Sequence, residues 1–167
     1  MNKFFTISDM ATDSGPVPAQ FLGNAEKTIR MINRVQMELY NMKPGSRRGT
    51  ITSGYRSPEY NATLPNAGTR SQHLTASAVD YKNPDFTPKE VANVARTLME
   101  RGEIPLGGIG TYKGHTHIDI RGRYVTWNFS PLLLAPLGST NWWWLYLILV
   151  PVFLFLLVYT IRKYRRK

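Results

Sequence analysis

The 167-residue chain contains no cysteine, and this absence excludes two kinds of structure. Without thiols the chain can form neither a disulfide framework nor a zinc site held by thiolates, so its positive charge does not indicate a cysteine-rich zinc finger. Histidine is nearly as scarce, because the chain has only three, all within residues 71–80 and 115–119. Histidines this few, each close to an aspartate, indicate a functional site.

Acidic residues are also in short supply, with 11 against 21 basic residues and a net charge of +10. Half of that surplus lies in the last six residues, and the remainder suits an anionic cell wall or membrane surface as well as a nucleic acid. No base-reading motif accompanies the charge, so no nucleic-acid partner is expected. Residues 1–6 lack the apolar run of a signal peptide, so no cleavable leader is expected either.

One long segment lacks charge entirely. Residues 142–161 form an uncharged run of 20 residues, which matches the thickness of a bilayer core. Tryptophans open the run and Tyr159 lies near its end, as in interfacial aromatic belts. Pro151 is tolerated in membrane helices, and a buried soluble helix fits a run of this length less well. The sequence therefore predicts one transmembrane helix.

The orientation of this helix follows from the charge on its two flanks. Residues 124–141 carry no charge, whereas residues 162–167 carry five positive charges. The positive-inside rule then predicts a single-pass protein with its N-terminal domain outside, on the periplasmic side, and its C-terminus inside.

Five segments are expected along the chain. They are an N-terminal loop segment (residues 1–23), a folded domain (residues 24–130), a tether (residues 131–141), the transmembrane helix (residues 142–161) and a basic tail (residues 162–167). Glycine and proline discourage regular structure in the first segment. The length of the second is that of one ordinary domain.

The domain is expected to have an α+β fold. Apolar residues at three- and four-residue steps predict a helix over residues 24–42, and Thr87, Pro88 and Glu90 form a capping box that begins a second helix ending near Gly102. Short strands are expected at residues 50–52, 78–81 and 115–120. These elements predict a small, largely antiparallel sheet with flanking helices, in addition to the transmembrane helix.

The histidine segments have the spacing of a metal site. On a strand, His115, His117 and Asp119 would project from one face, because side chains alternate between the two faces. Together with His73 and Asp80, they offer the nitrogen and oxygen ligands that Zn²⁺ prefers. The alternative on spacing alone is a solvent-facing polar stripe on a half-buried sheet.

Four motifs occur in the order of a known family. They are SGYRSPEYN, S-x-H-x-x-A-x-A-x-D, GGIGTY and HIDIRG, at residues 53–61, 71–80, 107–112 and 117–122. Over about residues 25–127 the chain resembles the zinc D-alanyl-D-alanine carboxypeptidases and L-alanyl-D-glutamate endopeptidases, which cut peptidoglycan stem peptides. The resemblance implies a DD-peptidase-like zinc domain.

The resemblance also implies roles for individual residues. It assigns Zn²⁺ to His73, Asp80 and His117, with the fourth coordination position left to water. Arg56 matches the arginine that faces the substrate carbonyl or carboxylate, and it is expected to act in catalysis as well as in binding. Ser71 and Tyr55 are expected to help form the substrate site.

Two positions depart from the family pattern. Ala76 stands where many members have glycine, three residues after the first histidine ligand. Gly114 stands where several members have an acidic general base, three residues before the last ligand. We therefore expect His115 to be the base, since an imidazole titrates near neutral pH. Two alternatives remain for the base: Asp119, or a residue from elsewhere in the chain. Asp119 has a second possible role, which is to orient His117 by accepting a hydrogen bond from its imidazole.

The expected function is that of a membrane-anchored zinc peptidase that cleaves peptidoglycan stem peptides. Its small size, single catalytic domain and lack of a leader favour a bacteriophage lysis protein or a virion-associated protein anchored in a viral membrane. The alternative is a non-catalytic wall-binding or structural membrane protein that keeps the fold, which Gly114 leaves open. The choice between carboxypeptidase and endopeptidase action, and the oligomeric state, are not set by the motifs.

Overall fold

The computed structural model of the chain describes residues 4–65 and 67–128. The predicted tether, transmembrane helix and basic tail lie outside these residues. Among the helices that are described, none has both the length and the apolar character needed to cross a bilayer.

Three α-helices form where local sequence signals favour them: α1 at Leu22–Met42, α2 at Pro58–Thr63 and α3 at Pro88–Glu100. The predicted start of α3 is confirmed, because Thr87 Oγ1 accepts a hydrogen bond from the Glu90 amide and the Glu90 carboxylate accepts one from the Thr87 amide. Helix α1 begins two residues earlier than the apolar periodicity predicted. Short 3₁₀ helices occur at Ile7–Met10, Ala19–Phe21 and Gln72–Thr75.

Five strands make one sheet: β1 at Thr50–Ser53, β2 at Ala78–Lys82, β3 at Gly108–Thr111, β4 at Thr116–Asp119 and β5 at Val125–Trp127, in the order β1-β2-β4-β3-β5. The first four strands pair antiparallel, as predicted. The sheet is mixed at one edge, where β5, a strand that the sequence did not predict, runs parallel to β3. After β4 the chain reverses through Gly122, at φ +81°, and reaches the far side of β3.

The core lies where α1 and α3 pack together and α3 packs on β3 and β4. Residues 4–21, expected to be a loop, contribute to that core through Phe5 and Met10, which are fully buried. The Asn33 amide of α1 fixes this segment: its Oδ1 accepts from the Phe4 and Phe5 amides at 2.7 and 2.9 Å, and its Nδ2 donates to the Phe5 carbonyl at 2.9 Å. The N-terminal segment is therefore packed as part of the same domain.

The register of the sheet places two candidate ligands side by side. Asp80 on β2 pairs directly with His117 on β4, and Gly110 on β3 pairs with His117 from the other side. Because paired residues present their side chains on the same face, the Asp80 carboxylate and the His117 imidazole meet. Gly110 leaves room there for the Trp127 ring, whose atoms lie 2.4 Å from where a Cβ at Gly110 would stand.

Candidate metal centre

A pocket of about 810 Å³ opens at this face of the sheet. It is lined by residues 64–65 and 67–72, by the β3–β4 connection and by Trp127. His73, Asp80 and His117 lie within it, and we call these three residues the ligand cluster. Tyr112, His115 and Trp127 form one side of the pocket, which we call the aromatic wall.

The ligand cluster brings three donor atoms together. His73 Nε2 lies 3.1 Å from His117 Nδ1 and 3.3 Å from Asp80 Oδ1, and the last two atoms are 2.9 Å apart. In a tetrahedral zinc site with bonds of about 2.0–2.2 Å, neighbouring ligand atoms lie roughly 3.3 Å apart or slightly more. The triangle thus has nearly the dimensions of one face of a zinc tetrahedron, and the predicted convergence of the three residues is confirmed.

Hydrogen bonds behind the cluster fix which nitrogen of each imidazole carries its proton. His73 Nδ1 lies 2.7 Å from the Gly54 carbonyl, which can only accept, so Nδ1 donates and Nε2 keeps its lone pair. His117 Nε2 donates to Asp119 Oδ2 at 3.1 Å, so the lone pair of neutral His117 is on Nδ1. Both lone pairs therefore face Asp80 Oδ1.

This arrangement needs a positive charge at its centre. Two lone pairs and a carboxylate oxygen within 3.3 Å of one another repel unless a proton or a metal ion lies between them. Buried imidazole and carboxylate ligands, each oriented by a second hydrogen bond, are the donor set and support that zinc sites use. The residues present therefore fit Zn²⁺.

The directions in which the pKa values of His117 and Asp80 are shifted agree with a cation-binding site. Burial lowers the pKa of His117, but its hydrogen bonds with Asp119 and Asp80 outweigh burial and hold the pKa above its ordinary value. Burial raises the pKa of Asp80, but hydrogen bonds and charge from His117 and His73 lower it well below its usual range. A site that stabilises a proton on His117 and a charge on Asp80 has the excess negative potential that attracts a divalent cation.

Arg56 lies behind the carboxylate ligand. Its Nη2 donates to Asp80 Oδ2 at 2.7 Å, and its Nε donates to Ser53 Oγ at 2.8 Å. The arginine lines the pocket, as predicted, and it also fixes the orientation of Asp80 so that Oδ1 faces the two histidines. This contact with the ligand was not foreseen from the sequence.

Asp119 is fully buried beneath His117 and does not line the pocket. Its carboxylate accepts from His117 Nε2, from the Gly108 amide at 2.8 Å and from Arg121 Nε at 2.9 Å. Burial raises its pKa, but these hydrogen bonds outweigh burial and lower it, so the group is ionised. The geometry matches the alternative in which Asp119 orients His117, and it separates Asp119 from the residues that face a substrate.

His115 belongs to the aromatic wall. Its ring stacks on Tyr112, with centroids 4.6 Å apart and planes at 13°, and its side chain is 33% exposed to solvent. Its Nε2 lies 3.9 Å from Asp80 Oδ2, so it faces the ligand cluster without joining it. Trp127 Nε1 donates to the Tyr112 hydroxyl at 2.8 Å, so Tyr112 contacts both other members of the wall.

The 3₁₀ helix Gln72–Thr75 presents His73 to the cluster, and it ends at the position where the family favours glycine. Ala76 has φ +52° and ψ +28°, in the left-handed region. A side chain there costs about 1–2 kcal/mol relative to glycine. Ala76 adopts this conformation at that cost, which a glycine at the same position would avoid.

The remaining predicted residues have different positions. Ser71 lines the pocket and its hydroxyl accepts from the His73 amide at 3.3 Å, as the N-cap of that short helix. Tyr55, which was expected in the substrate site, is not among the residues that line the pocket, and its side chain is buried in the core beside Phe21. Gly114 is not among the residues that line the pocket, and as a glycine it supplies no side chain to the ligand cluster.

Residues 4–119 match the family model described as Peptidase M15. The match covers most of the chain. The chain belongs to the peptidase M15 family. Members of this family are zinc-dependent, and in this chain the ligand cluster is the group of residues that could hold the zinc ion. No curated protein sequence matches the chain.

The M15 match begins at residue 4, well before the region that the sequence motifs covered. The motifs did not reveal the contacts of residues 10–14, and they did not reveal Trp127, which follows the matched region. Glycines at Gly108 and Gly110, with an isolated tryptophan after the last motif, were the available signals for the aromatic wall. They become interpretable only once β5 is known to pair with β3.

Proposed function

We propose that this M15 peptidase cleaves peptidoglycan stem peptides while anchored to a membrane by residues 142–161. The observation that carries the hydrolytic part is the convergence of three oriented ligand atoms at the base of an open pocket. Zinc, when bound, supplies a Lewis acid that lowers the pKa of water and polarises a peptide carbonyl.

We assign general base catalysis to His115. Its imidazole lines the pocket beside the ligand cluster, and burial lowers its pKa, so the ring is neutral and able to accept a proton at neutral pH. It would take the proton of the attacking water and return it to the leaving amine. Because Gly114 supplies no carboxylate, the proposed base is the neighbouring His115.

The charge of the pocket supports an anionic peptide as substrate. Three arginines line it: Arg56, Arg70 and Arg121. Asp80 pairs with the first and Asp119 with the third, whereas Arg70 makes no ion pair within residues 4–65 and 67–128. Stem peptides carry carboxylates, which an unpaired guanidinium can bind through two hydrogen bonds. Arg56 Nη1 has no hydrogen-bond partner in the described part of the chain, and we propose that it donates to a substrate oxygen.

The membrane anchor and the biological setting rest on the sequence. An uncharged run of 20 residues followed by five cations supports one span with the catalytic domain outside and the tail inside. Peptidoglycan lies on that outer side. We propose a bacteriophage lysis or virion-associated protein, in which release at lysis or carriage in a viral membrane would bring the domain to the wall.

Digestion of purified peptidoglycan by the full-length protein in detergent tests the activity. With zinc present, mass spectrometry should detect newly formed amine and carboxyl ends in the stem peptides, and a chelator should abolish them. Free D-alanine would identify a carboxypeptidase, whereas separated stem fragments would identify an endopeptidase.

The His117→Ala protein is the matched control, because it removes one ligand and leaves the rest of the pocket. Intact stem peptides after incubation with folded, zinc-loaded wild-type protein would reject the peptidase proposal. Binding to the wall without cleavage would then support the non-catalytic alternative.

Protease protection tests the topology. Protease added to intact spheroplasts or virus particles should digest residues 4–128 and leave a protected fragment that contains the basic tail. Digestion of the tail with the catalytic domain intact would reverse the proposed orientation.

A further inference from the structure

The N-terminal segment at residues 10–14 is docked on the loop that supports the ligand cluster. The Met10 carbonyl accepts from the Tyr55 amide at 2.9 Å, Thr12 Oγ1 accepts from the Gly54 amide at 2.9 Å, and Ser14 Oγ accepts from the Ser57 amide at 2.8 Å. These bonds join positions more than 40 residues apart in sequence. We call residues 10–14 the N-terminal clasp.

The fit between clasp and loop is close. A Cβ at Gly54 would lie 2.4 Å from the Met10 carbonyl oxygen, so only glycine permits this approach. Gly54 is also the residue whose carbonyl accepts from His73 Nδ1. One residue is therefore held by the clasp on one side and orients a metal ligand on the other.

Asp13 extends this support to a second ligand. Its carboxylate accepts from Ser53 Oγ and lies 3.8 Å from Arg56 Nε, and its side chain is only 14% exposed. Arg56 donates in turn to Asp80 Oδ2 at 2.7 Å. A continuous chain of polar contacts thus runs from Asp13 through Arg56 to the carboxylate ligand.

We propose that Asp13 is a positioning residue for the metal site, which sets the affinity for zinc through Arg56 and Asp80. Two effects act in the same direction. Asp13 contacts Arg56 at Nε and Asp80 contacts it at Nη2, so the two carboxylates together hold the guanidinium in the orientation that presents Nη2 to Oδ2. Its negative charge also offsets that of Arg56, which would otherwise weaken Asp80 as a ligand and repel a divalent cation. This proposal concerns zinc binding and does not depend on which substrate is cleaved.

Zinc affinity of the full-length protein, measured by competition with a chromophoric chelator, tests the proposal. Asp13→Asn keeps the shape of the side chain and removes its charge, and we expect zinc affinity to fall about 10-fold or more, as for other partners that orient metal ligands. The unfolding temperature of the metal-free protein is measured alongside, because a purely structural role would lower it and leave zinc affinity unchanged.

Asp9→Asn is the matched control. Asp9 lies in the same N-terminal segment and also pairs with an arginine, Arg48, but that pair makes no contact with the ligand cluster. Zinc affinity should be unchanged in this variant. Equal zinc affinity in Asp13→Asn and the wild type, or an equal loss in Asp9→Asn, would overturn the proposal.

Ser53→Ala keeps the test available if Asp13→Asn fails to fold. It removes the hydroxyl that joins Asp13 to Arg56 and leaves both charges in place. We expect a smaller fall in zinc affinity in the same direction, and unchanged affinity would overturn the positioning role.

Discussion

The ligand cluster and the aromatic wall face the same pocket but are held in different ways. His73, Asp80 and His117 are buried, and each has a hydrogen-bond partner behind it that sets its orientation. The wall is partly open to solvent, and His115 is held there by stacking on Tyr112. A metal site needs fixed ligand directions, whereas a proton acceptor needs access to water and freedom to move toward a substrate. Changes in the cluster should therefore affect metal binding, and changes in the wall should affect rate.

The largest effect is expected from His117→Ala. Loss of one of three protein ligands should abolish zinc binding and peptide hydrolysis together. Zinc content by atomic spectroscopy and release of stem-peptide fragments measure the two effects. Full zinc occupancy in this variant would remove His117 from the ligand cluster.

His115→Ala makes the sharpest contrast, because the same residue type is removed two positions away. We expect zinc to be retained and the hydrolysis rate to fall about 10²–10⁴-fold, the usual contribution of a general base. If this variant stayed fully active while Asp119→Ala lost activity with zinc still bound, the roles of the two residues would be exchanged.

Asp119→Asn tests the support of the cluster from below. The amide can still accept from the Gly108 amide, but the charge that holds His117 Nε2 and Arg121 is lost. Zinc affinity should fall about 10–100-fold. An unchanged dissociation constant for zinc would show that the tautomer of His117 is set by another group.

Arg56→Lys tests a residue outside both regions that contacts the ligand Asp80 and also lines the pocket. A single ammonium group cannot reproduce the separate bonds that Nε and Nη2 make to Ser53 and Asp80. We expect the turnover rate to fall about 10-fold or more, with a smaller loss of stability. Normal kcat and zinc affinity in the lysine variant would exclude both roles of Arg56.

Tyr112→Phe should have the smallest effect. It removes the hydroxyl that accepts from Trp127 Nε1 and keeps the ring on which His115 stacks. The bond is partly exposed, so its loss should cost about 0.5–1.5 kcal/mol of stability at most and change kcat only a few-fold. A 100-fold loss of rate, about 2.7 kcal/mol at the barrier, would instead place the hydroxyl in the chemistry.

Local sequence signals predicted the elements that depend on neighbouring residues. The capping box at Thr87 and Glu90 marks α3 because both partners lie within one turn, and the apolar periodicity of α1 is likewise local. Strand β5 could not be placed in the same way. Its three residues carry little signal, and its parallel pairing depends on where β3 lies.

The sequence by itself determined the chemistry of the site, because His73, Asp80 and His117 occur in motifs whose order and spacing identify a zinc peptidase. Only the tertiary structure decided how these groups are held. The lone pairs of the two histidines are directed by Gly54 and Asp119, and Asp80 is oriented by Arg56, through hydrogen bonds that no motif records. The N-terminal clasp likewise supports Gly54 from more than 40 residues away. Which residues are ligands depends on their side-chain chemistry and can be inferred from the order of residues in the sequence. The direction in which each ligand atom points depends on hydrogen bonds to groups that meet only when the chain has folded.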